Sequence, residues 1–198
     1  AYIGNHSHSH DYLTKFSFEN FVNDINKSRK IFKNKIGYNP EFFSYPFGEY
    51  NLKQKKFISK HFEFAFGQHS GVIDLNKDKF ELPRFPINEK YGELKRFEEL
   101  ISYLPLQYKE IIPENKFMKQ NENPPQMSIQ FFKNQKNLEK ISCFSNEGSR
   151  WKKTNIRLND NKLVINFTEK FMERRGRINC SMKDKKGWRF AGFQFTQN

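Results

Sequence analysis

The stretch Gly4-Asn5-His6-Ser7-His8-Ser9-His10-Asp11 decides how this chain is read. It holds three of the 5 His in the sequence. The spacing of His6 and His10 lets two imidazoles converge on one metal, from a helix face or a tight loop. Neutral imidazole suits Zn, Ni, Co or Fe. The competing reading is a solvated His-rich loop. A purification tag fits poorly, because Ser interrupts the run and the apolar Ala1-Tyr2-Ile3 precedes it. Residues 1–5 read as the end of a core strand running into a polar loop. A natural domain rarely begins there, so the chain is expected to be N-terminally truncated, and no signal peptide is visible.

Working outward, residues 18–34 form an amphipathic pattern with Phe18, Phe21, Val22, Ile25 and Phe32 near one face. Ser17 is the expected N-cap, and Gly37 lies just past the end. Residues 41–45 read as a short strand ended by Pro46-Phe47-Gly48. Residues 52–62 read as a second helix, Phe64-Ala65-Phe66 as a buried strand, residues 80–87 as an extended stretch, and residues 91–104 as a third helix. Strands alternating with helices indicate parallel α/β structure.

After Pro105 the pattern changes. Residues 106–126, with Pro113, Pro124 and Pro125, read as a linker. From Met127 on, short strands are expected over residues 128–132, 140–144, 155–158, 162–167, 178–182 and 188–195. Asn159-Asp160-Asn161 and Asp184-Lys185-Lys186-Gly187 supply hairpin turns. The expected division is therefore 1–105, 106–126 and 127–198, the last a small antiparallel β-sandwich-like domain. Cys143 and Cys180 fall in its strands. One pair with no framework around it is expected as two buried free thiols, the disulfide being the alternative.

Composition narrows the function classes. With 23 Phe among 198 residues the chain can build a core, which argues against disorder. Mean hydropathy is −0.90, and no run approaches a membrane span, so no integral membrane segment is expected. The net charge of +13 comes from 35 Lys+Arg against 22 Asp+Glu. These cations are spread along the chain without a compact basic arm, so no nucleic-acid partner is expected.

The His stretch resembles the second motif of the polysaccharide deacetylase family (NodB homology, carbohydrate esterase family 4), which reads H-[ST]-x-x-H. By that resemblance His6 and His10 hold a divalent metal, usually zinc, Ser7 is the loop hydroxyl, and His8 has no ligand role. Ser44-Tyr45-Pro46-Phe47 resembles the third motif, R-x-P-[YF], with Ser44 in place of Arg. There the backbone N–H of the aromatic, Phe47 here, helps stabilise the oxyanion. Gln68-His69-Ser70-Gly71 and Leu82-Pro83-Arg84-Phe85-Pro86 look like segments of deacetylase-like proteins with a shortened barrel and a following β-rich domain.

The resemblance implies an α/β fold, a partial (β/α) deacetylase-type barrel followed by the β-rich domain. It implies a metal-dependent hydrolase that removes N-acetyl groups from a cell-envelope or extracellular polysaccharide, in the periplasm or at the cell surface. His69 is the candidate general acid, or else a loop His with a local hydrogen bond. Arg84 is a candidate for the orienting role of the absent Arg, or a surface residue. Tyr45, Pro46 and Tyr50 are candidates for substrate contact, though aromatics in so Phe-rich a chain are commonly core. Trp151 and Trp188 are expected to pack rather than to bind sugar. The family's T-F-D-D-G motif, which carries the base, would precede residue 1, so the fragment alone is expected to be inactive. The alternative function is a catalytically inactive glycan-binding protein on a degenerate barrel.

Overall fold

The computed structural model describes residues 2–197. The chain is mixed α/β and divides into two units. One runs to Gln68 and takes in Asp74–Pro83; the other takes in His69–Ile73 and Arg84–Gln197.

In the first unit, α1 spans Phe18–Ile36. The Ser17 hydroxyl accepts the Asn20 N–H at its start, and Gly37 closes it in the left-handed conformation at φ 86°. Strand β1 (Phe42–Ser44) leads through α2 (Leu52–Ile58) to β2 (Phe64–Phe66). β1 and β2 pair in parallel, Phe43 opposite Ala65. Asn5 adds a parallel bridge to Phe43 on one side, and Leu82 bridges Phe66 on the other. Phe21 and Ile25 of α1 bury against Phe43, Tyr45, Ile58 and Ala65. Ala1 of the expected leading strand lies outside the described residues, and among residues 2–5 only Asn5 pairs; Tyr2 and Ile3 are half exposed, with the Tyr2 ring lying on Phe42. α2 is shorter than expected, because its last turn tightens: Lys60 N–H bonds to the Phe57 carbonyl.

The second unit opens with α3 (Leu94–Ser102), β3 (Leu104–Pro105), β4 (Glu110–Ile112) and β5 (Phe117–Met118). Strands β6 (Met127–Gln130), β7 (Ser142–Ser145), β8 (Lys152–Lys153), β9 (Asn155–Asn159), β10 (Lys162–Asn166), β11 (Arg175–Asp184) and β12 (Gly187–Gln197) follow. One sheet has the order β4-β6-β10-β9. The other has the order β3-β12-β11-β7-β8, with β5 also on β12. Met127, Ile129, Leu163 and Ile165 of the first sheet share one hydrophobic cluster with Ile178, Met182, Phe193 and Phe195 of the second.

Three features depart from the sequence reading. Residues 106–126 are woven into the sheets through β4 and β5, and Leu106 and Met118 are buried. α3 buries no residue at all. Leu94 and Ile101 of its apolar stripe are 71% and 68% exposed. Its Arg96 guanidinium instead donates to the carbonyls of Pro86 and Tyr91. The third correction concerns the cysteines. Cys143 and Cys180 stand directly opposite on β7 and β11 and form a disulfide, with Cα atoms 4.1 Å apart. The antiparallel register, invisible in the sequence, brings them together.

Candidate active site

The loop that follows Asn5 is held by α1. Asn5 is buried, and its amide exchanges hydrogen bonds with the Ser28 hydroxyl on the inner face of the helix. One turn earlier, the Asp24 carboxylate accepts the backbone N–H groups of His8 and Ser9 at 2.9 and 3.0 Å. Ser7 N–H donates to the Asn5 side chain, and the Ser7 hydroxyl accepts the His10 N–H. Ser7 and His10 adopt positive φ of 66° and 56°, a conformation that costs energy for residues other than glycine. The loop hydrogen bonds offset that strain and bend the chain back on itself.

The bend brings the two outer imidazoles together. The rings of His6 and His10 lie 4.8 Å apart, inclined at 61°. His6 Nδ1 lies 2.8 Å from the Ser44 carbonyl oxygen. A carbonyl only accepts, so Nδ1 carries a proton, and in the neutral ring Nε2 is the nitrogen that keeps its lone pair. Fixing one ring nitrogen on a backbone carbonyl while presenting the other is how proteins prepare a histidine for a metal. His6 and His10 therefore fit as two donors of a divalent-metal site. Among the described residues, no group of three His, Cys, Asp or Glu is gathered around a common point.

Phe47 stands beside this pair. Its ring is 5.1 Å from His10 and stacks on Tyr12 at 4.2 Å. The Pro46–Gly48 turn that carries it is unusual, because Phe47 has φ 58° and Gly48 φ 69°. At Gly48 a Cβ would approach the Gln68 backbone nitrogen to 2.5 Å, so only glycine fits. Behind the turn, Glu49 is buried and receives the Thr14 hydroxyl.

The residues considered for substrate contact lie deeper. Tyr45 is 1% exposed, Pro46 is buried, and the Tyr45 and Tyr50 rings pack on each other 4.5 Å apart. No ring face is left open for a sugar, so these residues shape the core beneath the turn. Burial pushes both phenol pKa values well up, with the carboxylates of Asp78 and Glu81 adding to the effect. Tyr50 donates to Glu81 at 2.7 Å, and Lys55 pairs with Asp78 and Glu81. Burial lowers the Lys55 pKa, but its two carboxylate partners outweigh that and raise it overall. The Tyr45 hydroxyl is buried without a hydrogen-bond partner.

His69 and Arg84 belong to the other unit. They lie together, the Arg84 N–H donating to the His69 carbonyl at 3.0 Å, and Arg84 is exposed.

Sequence reasoning missed Asp24, Ser28 and Tyr12. The signal for the first two was present: polar residues one turn apart on the buried side of α1, next to Phe21 and Ile25. A carboxylate placed on an apolar face needs donors, and the His loop supplies them.

Residues 1–62 match the family model described as polysaccharide deacetylase. The matched range contains His6, His10, α1, Phe47 and α2, and ends before His69 and Arg84. No curated protein and no solved structure matches the chain. No helix among the described residues is long and apolar enough to cross a membrane.

Proposed function

We propose that the chain serves a metal-dependent hydrolase that removes N-acetyl groups from a cell-envelope or extracellular polysaccharide. One observation carries the reading. Within the stretch that matches the deacetylase family, His6 and His10 converge, and the Ser44 carbonyl fixes the tautomer that leaves His6 Nε2 free to bind a metal. On that reading β1, β2 and their flanking bridges belong to a deacetylase-type barrel wall, and the β-rich unit is a sandwich-like accessory domain.

His6 and His10 would hold the metal, zinc by the borderline character of the donors, and the metal supplies Lewis-acid polarisation of the acetamide carbonyl. The remaining tasks fall to the chain's own groups. Asp24 and Ser28 keep the His loop bent. Phe47 and Tyr12 form the apolar wall beside His10 that limits water at the reacting centre. By the family resemblance the Phe47 backbone N–H faces the oxygen on which charge develops. The buried disulfide suits an oxidising compartment, in keeping with a periplasmic or cell-surface location.

The test is zinc titration combined with acetate release from N-acetylglucosamine oligomers, using the full-length protein. Alanine at His6 or His10 should abolish both, and alanine at His8 neither. Zinc binding that survives both single substitutions would refute the assignment.

A further inference from the structure

The outer face of the six-stranded sheet carries a surface that the deacetylase reading does not use. On β11, Ile178, Cys180 and Met182 face the hydrophobic cluster, so Asn179, Ser181 and Lys183 take the opposite face. The register continues this face across the sheet. Lys153, Phe144 and Asn179 form one row, Ser142 and Ser181 the next, and Lys183 and Trp188 a third. Phe144 and Trp188 are each 45% exposed, although both are large apolar side chains.

Part of the face is covered. At Gly192 a Cβ would meet the Ser70 carbonyl at 2.1 Å, so the chain around Ser70 lies directly on β12 there. The rings of Phe85 and Tyr103 pack against Phe190. The strip over β7, β8 and β11 runs from Phe144 at one end to Trp188 at the other, where the Lys183 ammonium lies 6.0 Å from the Trp188 ring centroid and leaves the opposite ring face for a ligand. The two rings are offset by four residues along the strands and two strands across, roughly 16 Å from strand geometry. That is too long for a single sugar and suits an extended chain.

We propose that this strip binds an acidic polysaccharide, with Phe144 and Trp188 stacking on sugar rings and Lys153 and Lys183 pairing with its carboxylates. Aromatic faces accept the C–H face of a pyranose, and the Ser142 and Ser181 side chains between them suit its hydroxyls. Charge complementarity fixes the acidic class. Among the described residues, no Asp or Glu stands on this face of β7, β8, β11 or β12, whereas Lys153 and Lys183 are exposed on it. Aromatics and cations on a sheet also suit single-stranded nucleic acid. The disulfide beneath the strip, Cys143 beside Phe144, belongs to compartments where nucleic acid is not the partner. The choice of glycan rests on the polysaccharide reading above.

The experiment uses the full chain and polygalacturonate oligomers, with cellohexaose as the neutral control. The protein has 2 Trp, so Trp151→Phe leaves Trp188 as the sole fluorescent reporter. Saturable quenching by polygalacturonate is expected, at least about tenfold tighter than with cellohexaose, a difference of about 1.4 kcal/mol. Phe144→Ala should weaken binding about tenfold as well. Lys153→Gln with Lys183→Gln should weaken it and flatten its salt dependence, without touching the packed core. Equal binding of cellohexaose, displacement by a single-stranded oligonucleotide, or indifference to both the Phe144 and the Lys variants would overturn the proposal. His6→Ala separates the two readings. Glycan binding that survives it while zinc-dependent acetate release is lost supports both readings, whereas glycan binding by a parent protein that releases no acetate with zinc supports the strip and refutes the deacetylase. Binding lost with His6→Ala yet untouched by Phe144→Ala refutes the strip alone.

Discussion

Replacing Asp24 with alanine tests whether the metal-binding geometry is built by α1 rather than by the His loop itself. Its carboxylate accepts two backbone N–H groups, from His8 and Ser9, at 2.9 and 3.0 Å. A hydrogen bond to a charged acceptor contributes about 1.5–3 kcal/mol when both groups leave water. The two donors here are only partly buried, so water recovers some of the loss in the variant. A net destabilisation of about 2–3 kcal/mol follows from the lower end of that range. The consequence for the site is larger than for the fold. His6 and His10 flank the two held residues, and without the anchor their rings no longer share one point. Removing an outer contact of this kind typically weakens metal affinity 10–100-fold. Zinc affinity is read by competition with a chromophoric chelator, and stability by urea unfolding of the metal-free protein. Asp24→Asn, which keeps one acceptor oxygen, should fall between the two. A variant that loses stability but binds zinc as tightly as the parent would refute the argument, because the loop would then hold its own shape.

Four further outcomes are expected. Reducing Cys143–Cys180, whose sequence separation is 37, should cost about 3–4 kcal/mol of unfolding free energy. An unchanged urea midpoint with and without reductant would contradict this. Gly48→Ala should destabilise the first unit by about 1–3 kcal/mol, since it combines a positive φ with a backbone clash, and thermal unfolding would show it. Ser17→Ala should cost about 1 kcal/mol through the lost cap of α1, measured by the same method. Tyr45, Tyr50 and Lys55 all have folded-state pKa values raised above their unfolded values of 10.0, 10.0 and 10.5. The folded protein therefore holds protons that the unfolded chain releases at alkaline pH. Their stabilisation is fully present below pH 10 and declines as pH rises beyond it. Unfolding measured from pH 8 to 11 should show that decline, less steeply in Tyr50→Phe; stability that rises over this range would contradict the sign.

Local chemistry made much of this structure readable in advance. The cap at Ser17, the left-handed Gly37, the Phe64–Phe66 strand and the hairpin joining β9 to β10 are each specified by neighbouring residues. What escaped is decided by partners far away in the chain. The apolar stripe of α3 is a clear amphipathic signal, but periodicity cannot say what the stripe packs on, and the helix is tied down instead by Arg96 on the Pro86 and Tyr91 carbonyls. Pro113, Pro124 and Pro125 suggested a linker, yet Leu106 before them and Met118 between them found places in the core. The disulfide depends on the β7–β11 register. The same distinction holds at the candidate site. His6 and His10 announce themselves by spacing, whereas Asp24 matters only once α1 is folded against their loop.

The chain passes from one unit to the other after Gln68, returns at Asp74, and leaves again after Pro83. The β-rich unit thus takes its first piece, His69–Ile73, from the middle of the first unit's sequence. No single scission can release both halves intact. Cutting after Gln68 strips the first of Asp78 and Glu81, the partners of Lys55. Cutting after Pro83 leaves Gly192 facing a void where the Ser70 carbonyl belongs. A recombination event that traded one β-rich unit for another would have to preserve a five-residue stitch set within the sequence of its neighbour.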